Sequence, residues 1–548
     1  MARLDHLSSV RRVAQIGAAI GREFPYSLLR TVSGLAEDEL KSALARLVSS
    51  ELVFQRGVLP DAVYTFKHSL VQDAAHASLL HGTRRQLHAQ IAETLEASTP
   101  EVMDNQPELL ARHYTEAGLV EKSVTYWGKA GHMSVARSAM AEAAAQFYKA
   151  LDQLALLPDG SERQRKELEF HSALGGALQA TKGYAAPETG RAYVRTQELW
   201  EQLGSPSDFL RVPVRQSVYH AIRGELDLAL RLDEELLRLS RQHNEYAGLV
   251  QGHTSAGREL MYMGRFRSSQ LHLEEVLALY DPISRHSVIH RIGDDPHVVS
   301  LAFLAIVFFC LGFPDQAMVR SMAAIAAART LAHPTSLAVS LNAAARLFSL
   351  VGDNAALEQR VAELISVATE QGFPHWHGVG TIYSGWLQAN GGNVTGGLCL
   401  LRNGSAAHRS TGAESLRPYH ISLLAGAHEI AGEIEEAATQ LDDALQIVER
   451  TGERWFAAEL NRRKGKLLLR QGDFEAAEEL YRKALSIARE QEAKLWELRA
   501  VMSLARLRCD QGRHAEARDI LAPVYGWFTE GFDTPDLMEA KALLDELA

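Results

Sequence analysis

Glycine recurs at a fixed spacing through most of the chain, and this repeat constrains the fold more than any other sequence feature. The interval of 40 residues between Gly432 and Gly472 is found at six of the seven intervals in the series. In the clearest copies an Ala follows five positions after the glycine and a bulky residue nine positions after it. The series consists of Gly224, Gly264, Gly312, Gly352, Gly392, Gly432, Gly472 and Gly512.

The residues around these glycines predict pairs of helices. Segments such as 454–472 carry apolar residues at three- and four-residue spacing and contain no proline, which is typical of helices. Glycine adopts the left-handed conformation that ends a helix without steric cost. A small residue stands seven positions before each glycine, where it lets the first helix of a pair lie close to the second. These small residues are Ser217, Gly257, Ala305, Ala345, Gly385, Ala425, Gly465 and Ala505.

The chain is therefore predicted to be all-α, with helical hairpins stacked into an α-solenoid. The alternative, a non-repetitive helical bundle, requires eight in-phase copies to arise by chance. One interval is longer by eight residues, from Gly264 to Gly312, and it contains the turn formers Asp281-Pro282 and Asp294-Asp295-Pro296. An extra loop is expected there.

The pattern of small, aromatic and Ala positions resembles the tetratricopeptide repeat, whose usual length is about 34 residues. The resemblance begins near Gly118 and implies a superhelix of paired helices with a protein-binding groove. We predict a first domain over residues 1–95, the first repeat-like helices over 96–205, and the superhelix with its 40-residue period over 206–548.

The amino-terminal segment lacks the period and is predicted to be a small winged-helix domain. Ser9–Ile20 and Leu35–Ser50 have helical spacing, and Pro25 suits the first turn of a helix between them. Two short β-rich runs follow, at residues 52–57 and 62–68, and a Gly- and Pro-containing turn separates them. Three helices followed by a hairpin is the winged-helix order.

A winged helix raises the alternative of a DNA-binding transcription regulator with a repeat sensor. The third predicted helix begins with Glu37, Asp38 and Glu39 and offers only Lys41 and Arg46 as cations. The whole chain carries a formal net charge of -11. Because phosphates repel acidic groups, this distribution makes nucleic acid an unfavoured partner.

Longer segments resemble one family of bacterial signalling proteins, the predicted signal-transduction ATPases, many of which are fused behind a class III adenylate or guanylate cyclase domain. The segments are residues 13–29, 52–80, 112–131, 181–193, 370–376, 451–465 and 521–537. The resemblance implies a winged helix that packs between a nucleotide-driven switch domain and the repeats. It also implies a regulatory role, with a protein or peptide as partner, for example a separate ATPase or cyclase chain.

The chain lacks the nucleotide-binding signature of that family. No Gly-x4-Gly-Lys-Ser/Thr string occurs, and the pairs Gly128-Lys129 and Gly465-Lys466 are followed by Ala and Leu. We expect a truncated or split member that is not an enzyme, with no catalytic residues and no cofactor; an ATP-binding protein is the second alternative. His375 and His377 lack further ligands at a fitting spacing, so no metal site is expected.

A cytoplasmic location without membrane insertion is expected. The amino terminus lacks the features of a secretory signal, and the most apolar run, Leu301–Phe313, is shorter than the roughly 20 residues of a membrane span. That run is predicted to form a buried core helix. Cys310, Cys399 and Cys509 fit no disulfide framework and are predicted to be buried small hydrophobic residues.

Candidate contacts with a partner lie on the first helices of the repeats. The residue six positions before the turn glycine is predicted to face a concave groove, and it is Arg, Lys or Trp in five copies. Guanidinium groups bind carboxylates and aromatic rings add apolar contact, so an acidic peptide or the flank of a partner domain is the predicted ligand. The alternative is that these side chains are solvated or ion-paired within the repeats. The predicted groove residues are Arg258, Tyr262, Asn342, Arg346, Trp386, Asn390, Tyr419, Arg462, Lys466, Arg499 and Arg506.

Overall fold

The computed structural model describes residues 8–98, 105–183, 185–204, 211–279 and 294–547. Within these ranges the chain forms 27 helices and one small sheet of three strands. The chain divides into two compact units, Met1–Leu174 and Gly175–Ala548. The predicted domain boundary at 205/206 lies outside the described residues.

The first unit begins with helices and strands in the order α1, β1, α2, α3, β2, β3. Its elements are α1 Ser8–Ile20, β1 Glu23–Pro25, α2 Tyr26–Ser33, α3 Glu37–Ser49, β2 Val53–Arg56, β3 Val63–Phe66, α4 Ser69–Ala77, α5 His81–Ser98, α6 Pro107–Ala117, α7 Val120–Ala136 and α8 Met140–Leu154. Helix α9, Ser161–Lys182, continues into the second unit.

The predicted hairpin is present, because β2 pairs antiparallel with β3 from Val53↔Phe66 to Arg56↔Val63. Strand β1 was not predicted. The sequence predicts Pro25 in the first turn of a helix, but in the structure it is the last residue of β1 and lies just before α2. The extended backbone there is compatible with the fixed φ of proline, and Phe24 is fully buried beside Tyr64 and Phe66. The winged-helix assignment itself stays a prediction.

The second unit consists of helices, most of which are joined by short turns where the connecting residues are described. They are α10 Pro187–Gln202, α11 Arg211–Ile222, α12 Leu226–His243, α13 Tyr246–Tyr262, α14 Phe266–Leu279, α15 Pro296–Leu311, α16 Pro314–Leu331, α17 Pro334–Val351, α18 Asn354–Gln371, α19 Pro374–Asn390, α20 Val394–Ser410, α21 Arg417–Ala431, α22 Ile434–Thr451, α23 Ala457–Arg470, α24 Phe474–Glu490, α25 Lys494–Asp510, α26 His514–Tyr525 and α27 Pro535–Glu546.

The repeat register predicted from the glycines matches these helices. All eight turn glycines have a positive φ, between 75° at Gly512 and 96° at Gly392, and each stands between the two helices of a pair. The small residues seven positions earlier are buried against the second helix. A Cβ atom added to Gly385, for example, would lie 2.7 Å from the carbonyl oxygen of Gly397, so only glycine permits this approach.

A second left-handed series, which the sequence analysis missed, marks the return turns between one pair and the next. Gly372, Gly412 and Gly452 have φ values of 64°, 76° and 72°. The in-phase positions Ala332 and Glu492 adopt the same conformation, with φ values of 52° and 54°, although they carry side chains. Because these two positions are not glycine, the series is not evident in the sequence.

The long interval before Gly312 is only partly described. Asp281-Pro282 lies outside the described residues. Asp295 begins α15, because its side chain accepts a hydrogen bond of 2.9 Å from the backbone N–H of Val298, and Pro296 occupies the first turn.

Repeats far apart in sequence touch inside the second unit. The backbone N–H of Trp455 donates to the carbonyl of Tyr262 at 3.0 Å, and that of Glu414 donates to the carbonyl of Ile222 at 2.8 Å. Helix α15 packs against α25, with the rings of Phe309 and Trp496 5.8 Å apart. Residues Leu301–Leu311 are consequently buried on all sides, and the predicted core helix is confirmed.

The three cysteines differ in their exposure to solvent. Cys310 is buried, but Cys399 is exposed and Cys509 is half-buried, so the prediction that all three are buried was wrong. Cys399 stands in the second helix of its pair, where one face meets water. No helix in the described ranges is long and apolar enough to cross a membrane.

Candidate functional site

The predicted groove residues occupy the first helices of the pairs, and most of the charged ones are already ion-paired within the chain. Arg258 on α13 donates from Nε and Nη2 to the carboxylate of the neighbouring Glu259, at 2.8 and 2.7 Å. Glu259 is fully buried. This bidentate pair satisfies a buried carboxylate, and it leaves Arg258 little capacity for a ligand.

Arg462 and Arg499 lie on either side of another buried carboxylate, Glu459. Arg462 donates from Nε to Glu459 at 2.9 Å, and Nη1 of Arg499 lies 3.8 Å from the same carboxylate. Burial alone raises the pKa of Glu459, but these two guanidinium groups outweigh it and hold that pKa at about 2. Arg499 also binds Asp536, at 2.7 and 2.8 Å, and the carbonyl oxygen of Leu350.

Three predicted groove residues are exposed to solvent. Lys466 pairs with Glu429 at 2.9 Å, Arg506 pairs with Glu539, and Asn390 stands at the end of α19. The side chains of Lys466 and Arg506 are 54% and 46% exposed. They are accessible to a partner.

Trp386 is half-buried because it packs against the next repeat. A Cβ atom on Gly426 would lie 2.8 Å from its indole ring. Gly426 occupies the position six before its own turn glycine, where other repeats have Arg or Lys. The ring of Trp386 fills the space that such a side chain would take.

Four predicted groove residues meet in a buried cluster: Tyr262, Asn342, Arg346 and Tyr419 are between 1% and 6% exposed. The guanidinium carbon of Arg346 lies 5.6 Å from the ring centroid of Trp455, which is itself 5.5 Å from the ring of Tyr419. The Tyr419 hydroxyl forms a hydrogen bond of 2.5 Å with the Ser349 hydroxyl. We call Arg346, Tyr383, Tyr419, Glu453 and Trp455 the inner cluster.

Glu453 is the carboxylate of this cluster. It accepts hydrogen bonds from the backbone N–H of Leu416 at 2.8 Å and from the indole N–H of Trp455 at 3.1 Å. Burial raises the pKa of Glu453 to about 7, although those two hydrogen bonds and the charge of Arg346 oppose the rise. The carboxyl group therefore titrates near neutral pH.

The sequence analysis missed Tyr383, Glu453 and Trp455. The repeat register carries only a weak signal for Glu453: the in-phase positions Phe373, Ala413 and Ala493 are buried and apolar, but Glu245, His333 and Asp533 fall in the same register. The burial of Glu453 is therefore not evident from the sequence alone. Nothing in the local pattern distinguishes Tyr383 from an ordinary core residue.

The face of α3 that DNA recognition would use stays acidic in the structure. Glu37, Asp38 and Glu39 form its exposed first turn, and Lys41 is ion-paired to Glu37 at 2.6 Å. Among the described residues, no ion pair involves Arg46 of this helix. Within the described ranges, no group of three or more His, Cys, Asp or Glu side chains is arranged to hold a metal ion.

Comparisons with known proteins agree with the repeat register. The tetratricopeptide repeat family model matches residues 416–490 and 456–530. A protein from Rhizobium meliloti (strain 1021), described as uncharacterized, is 27% identical over 519 residues, which is 93% of this chain and 50% of that protein. The chain thus spans about half the length of this curated relative.

Two solved structures illustrate the range of similar folds. A Rap protein complexed with competence and sporulation factor aligns with 68% of this chain and 98% of its own, at 11% identity and a TM-score of 0.47. A signal transduction ATPase with numerous domains and a tetratricopeptide repeat sensor, from Pyrococcus horikoshii, aligns with 98% of this chain and 65% of its own, at 11% identity and a TM-score of 0.31.

The glycine register, the helical hairpins and the family match describe one architecture. Residues 416–530 match tetratricopeptide repeats, and the second unit is a tetratricopeptide-like superhelix of paired helices.

Proposed function

We propose that the chain is a non-catalytic regulatory module whose repeats bind a protein or peptide partner. The observation that carries the proposal is the superhelix itself, with accessible cations at Lys466 and Arg506 on its first helices. Repeats of this kind create extended concave surfaces that suit peptides and flanks of folded domains.

The groove is proposed to favour acidic partners. Arg258, Arg462 and Arg499 already neutralise carboxylates inside the chain, whereas the side chains of Lys466 and Arg506 are about half exposed and each pairs with one carboxylate. The exposed pair of Arg506 with Glu539 contributes about 1 kcal/mol or less, so a ligand carboxylate can replace Glu539 at little cost. Glu429 is only 22% exposed and also pairs with Arg470, so a ligand carboxylate is proposed to bind Lys466 beside Glu429 rather than to replace it.

A hexaglutamate peptide tests this proposal by calorimetric titration of the full chain. The double variant Lys466→Glu/Arg506→Glu is expected to bind the peptide at least roughly 10-fold more weakly, because two charge-assisted contacts become repulsive. Lys541→Glu is the matched control, since Lys541 is equally exposed and forms the same type of pair with Asp545. Equal affinity of the double variant and the wild type would reject the groove as the binding surface.

In finer detail, we propose that the module belongs to a bacterial signal-transduction ATPase or nucleotide cyclase system, with a separate ATPase or cyclase chain as its partner. The family-like segments at residues 13–29 and 451–465 support this, together with the absence of a P-loop string from the sequence. Equilibrium dialysis with ATP tests the alternative of a nucleotide-binding protein. We expect no saturable binding, and a micromolar dissociation constant would favour that alternative.

A DNA-binding regulator is retained as a second candidate because three helices precede the β2–β3 hairpin. The acidic first turn of α3 opposes it. A gel shift with genomic DNA fragments at two salt concentrations separates the candidates. Retarded DNA whose affinity falls steeply with salt supports the regulator, and unretarded DNA supports the protein-binding module.

A further inference from the structure

Turns from repeats that are distant in sequence meet along one line inside the second unit, which we call the seam. Each contact joins a left-handed glycine to the residue just before a left-handed return-turn residue. In each pair, a Cβ atom added to the glycine would clash with the partner side chain. The seam consists of three such contacts: Gly183 with Thr411, Gly224 with Thr451 and Gly264 with Gln491.

The third contact differs from the other two in its hydrogen bonding. The hydroxyl groups of Thr411 and Thr451 donate to carbonyl oxygens of their own helices, at 2.7 and 2.8 Å. Gln491 is 9% exposed, and its Nε2 donates to the carbonyl oxygen of Arg454 at 2.8 Å. No donor among the described residues reaches Oε1 of Gln491. Because a buried acceptor without a donor is costly, this oxygen indicates a missing ligand.

Gln491 lines a cavity of about 420 Å³ at this contact. The walls are turn residues and the ends of second helices, so the cavity is distinct from the concave faces of the first helices. Its volume is within the range that holds a small organic molecule. Charged side chains of both signs line it: Asp227, Arg265, Arg267, Arg454, Glu490 and Glu492.

The start of α14 supplies donors to this cavity. No ion pair or hydrogen bond between described side chains involves Arg265, and Arg267 lies 3.7 Å from Glu492, beyond hydrogen-bond distance. The backbone N–H groups of Phe266, Arg267 and Ser268 have no acceptor within the described ranges. Backbone N–H groups at a helix start, together with guanidinium groups, favour an anion with several acceptor oxygens, such as a phosphate.

Other lining groups favour a cationic donor. Oε1 of Gln491 can only accept, and the neighbouring residues Glu490 and Glu492 are exposed carboxylates. Glu490 lies 3.8 Å from Arg454 and Glu492 lies 3.7 Å from Arg267, and neither pair forms a hydrogen bond. An ammonium group beside Gln491 would satisfy its oxygen and attract both carboxylates.

We propose that this cavity binds a small phosphate monoester that also carries an ammonium group. The phosphate accepts from the first N–H groups of α14 and from the guanidinium groups of Arg265 and Arg267. The ammonium group donates to Oε1 of Gln491, beside Glu490 and Glu492. The site lies outside the proposed peptide groove, and its occupation does not depend on that function.

A ligand bound in this way connects two distant parts of the superhelix. The phosphate contacts α14, and the ammonium group contacts the return turn that follows α24. One backbone hydrogen bond of 3.0 Å, from Trp455 to Tyr262, joins the same two parts nearby. The ligand is therefore expected to hold the seam closed and to slow amide hydrogen exchange on both sides of it.

Calorimetric titration of the full chain with O-phosphoethanolamine tests the site. The double variant Arg265→Gln/Arg267→Gln is expected to bind this probe roughly 10-fold more weakly, because two charge-assisted contacts are lost. Arg513→Gln is the matched control and is expected to keep wild-type affinity. Arg513 follows its turn glycine as Arg265 does and is also exposed, but it does not line the cavity.

Ethyl phosphate, which lacks the amine, tests the role of Gln491. The wild type is expected to prefer O-phosphoethanolamine to ethyl phosphate by roughly 5-fold. Gln491→Thr introduces the residue that the other two contacts carry, so it is expected to bind ethyl phosphate normally and to lose most of this preference. A purely structural role of Gln491 would weaken the binding of both probes alike and would contradict the proposed contact.

Hydrogen exchange of the wild type requires no variant and so excludes a folding defect as the explanation. O-phosphoethanolamine should slow exchange at residues 264–268 and 452–455, and slowed exchange confined to other segments would overturn the proposal. It is also overturned if the wild type binds neither probe at millimolar concentration, or if the double variant binds O-phosphoethanolamine as tightly as the wild type. These outcomes leave the proposed interaction function standing, because hexaglutamate binding depends on Lys466 and Arg506.

Discussion

Some buried guanidinium groups in the repeat unit donate to a carboxylate and others do not, and this difference determines their effect on stability. Arg258 completes a buried pair with Glu259, whereas Nε and Nη1 of Arg346 have no acceptor among the described residues. A paired charge offsets its own desolvation, and an unpaired one does not. The two residues occupy equivalent positions in their repeats, so they can be compared directly.

Replacing each by methionine is expected to change stability in opposite directions. Without ligand, Arg346→Met should raise the free energy of unfolding by roughly 1–4 kcal/mol, because it removes an unpaired buried charge. Arg258→Met should lower it by roughly 3–5 kcal/mol, since Glu259 is left buried and unpaired. Urea unfolding followed by circular dichroism measures both. Destabilisation of similar size in both variants would show that Arg346 is compensated.

Glu453 is expected to make stability depend on pH near neutrality. Its pKa is raised from 4.5 to about 7 in the folded chain, so the folded state binds more protons than the unfolded state between these values. The contribution is complete below about pH 4.5 and is lost as pH rises through 7, on the order of 3 kcal/mol in total. Glu453→Gln should flatten the fall in urea midpoint between pH 5 and 8; an unchanged slope would exclude this assignment.

At the level of secondary-structure elements, the residues in the turns largely determine the register of the repeat. The eight first-turn glycines were predicted from spacing, because a left-handed residue must recur wherever two helices are joined in the same way. The return turns escaped prediction, since Ala332 and Glu492 replace glycine there. Strand β1 escaped too, because three residues around a proline carry no periodic signal.

Gly452 tests the conformational role of a return turn. Its φ is 72° and no atom lies within 4 Å of an added Cβ, so Gly452→Ala introduces backbone strain without a clash. A loss of about 1 kcal/mol in unfolding free energy is expected. Gly452→Asn should lose less, because Asn tolerates the left-handed region. Equal stability of Gly452→Ala and the wild type would contradict the assigned conformation.

Three contacting histidines in the first unit are expected to make stability depend on pH with the opposite sign to Glu453. His88 contacts His76 at 3.1 Å between Nε2 atoms and His113 at 2.8 Å between Nδ1 atoms. Burial, followed by neighbouring charges that include Arg84 and Arg112, lowers the pKa of His88 to about 4; burial and His88 lower that of His113 to about 3.

Because these rings are neutral in the folded state and protonate more readily when unfolded, stability falls as pH drops from about 6.5 towards 4. The loss is about 1.4 kcal/mol per pH unit for each ring. His113→Asn should halve this slope in acid unfolding of the full chain followed by circular dichroism. A wild-type slope that is flat over this range would contradict the neutral assignment.

On the scale of the whole repeat unit, contacts between distant repeats bury residues that would otherwise line an open groove. The Trp455 to Tyr262 backbone hydrogen bond joins residues in different repeats, and α25 covers α15. Sequence periodicity predicts each hairpin and its register, because both depend on neighbours along the chain. It does not predict which repeats meet across the superhelix, since that depends on small rotations summed over several hairpins. For this reason Arg346 and Tyr419 were predicted to face a groove and are buried.

If the first helices of the repeats form the binding surface, bound hexaglutamate should slow amide hydrogen exchange there in the full chain. We expect added protection in α23 and α25, around Lys466 and Arg506, and unchanged exchange in α3. Protection confined to α3 or to the second helices α24 and α26 would show that the peptide binds elsewhere.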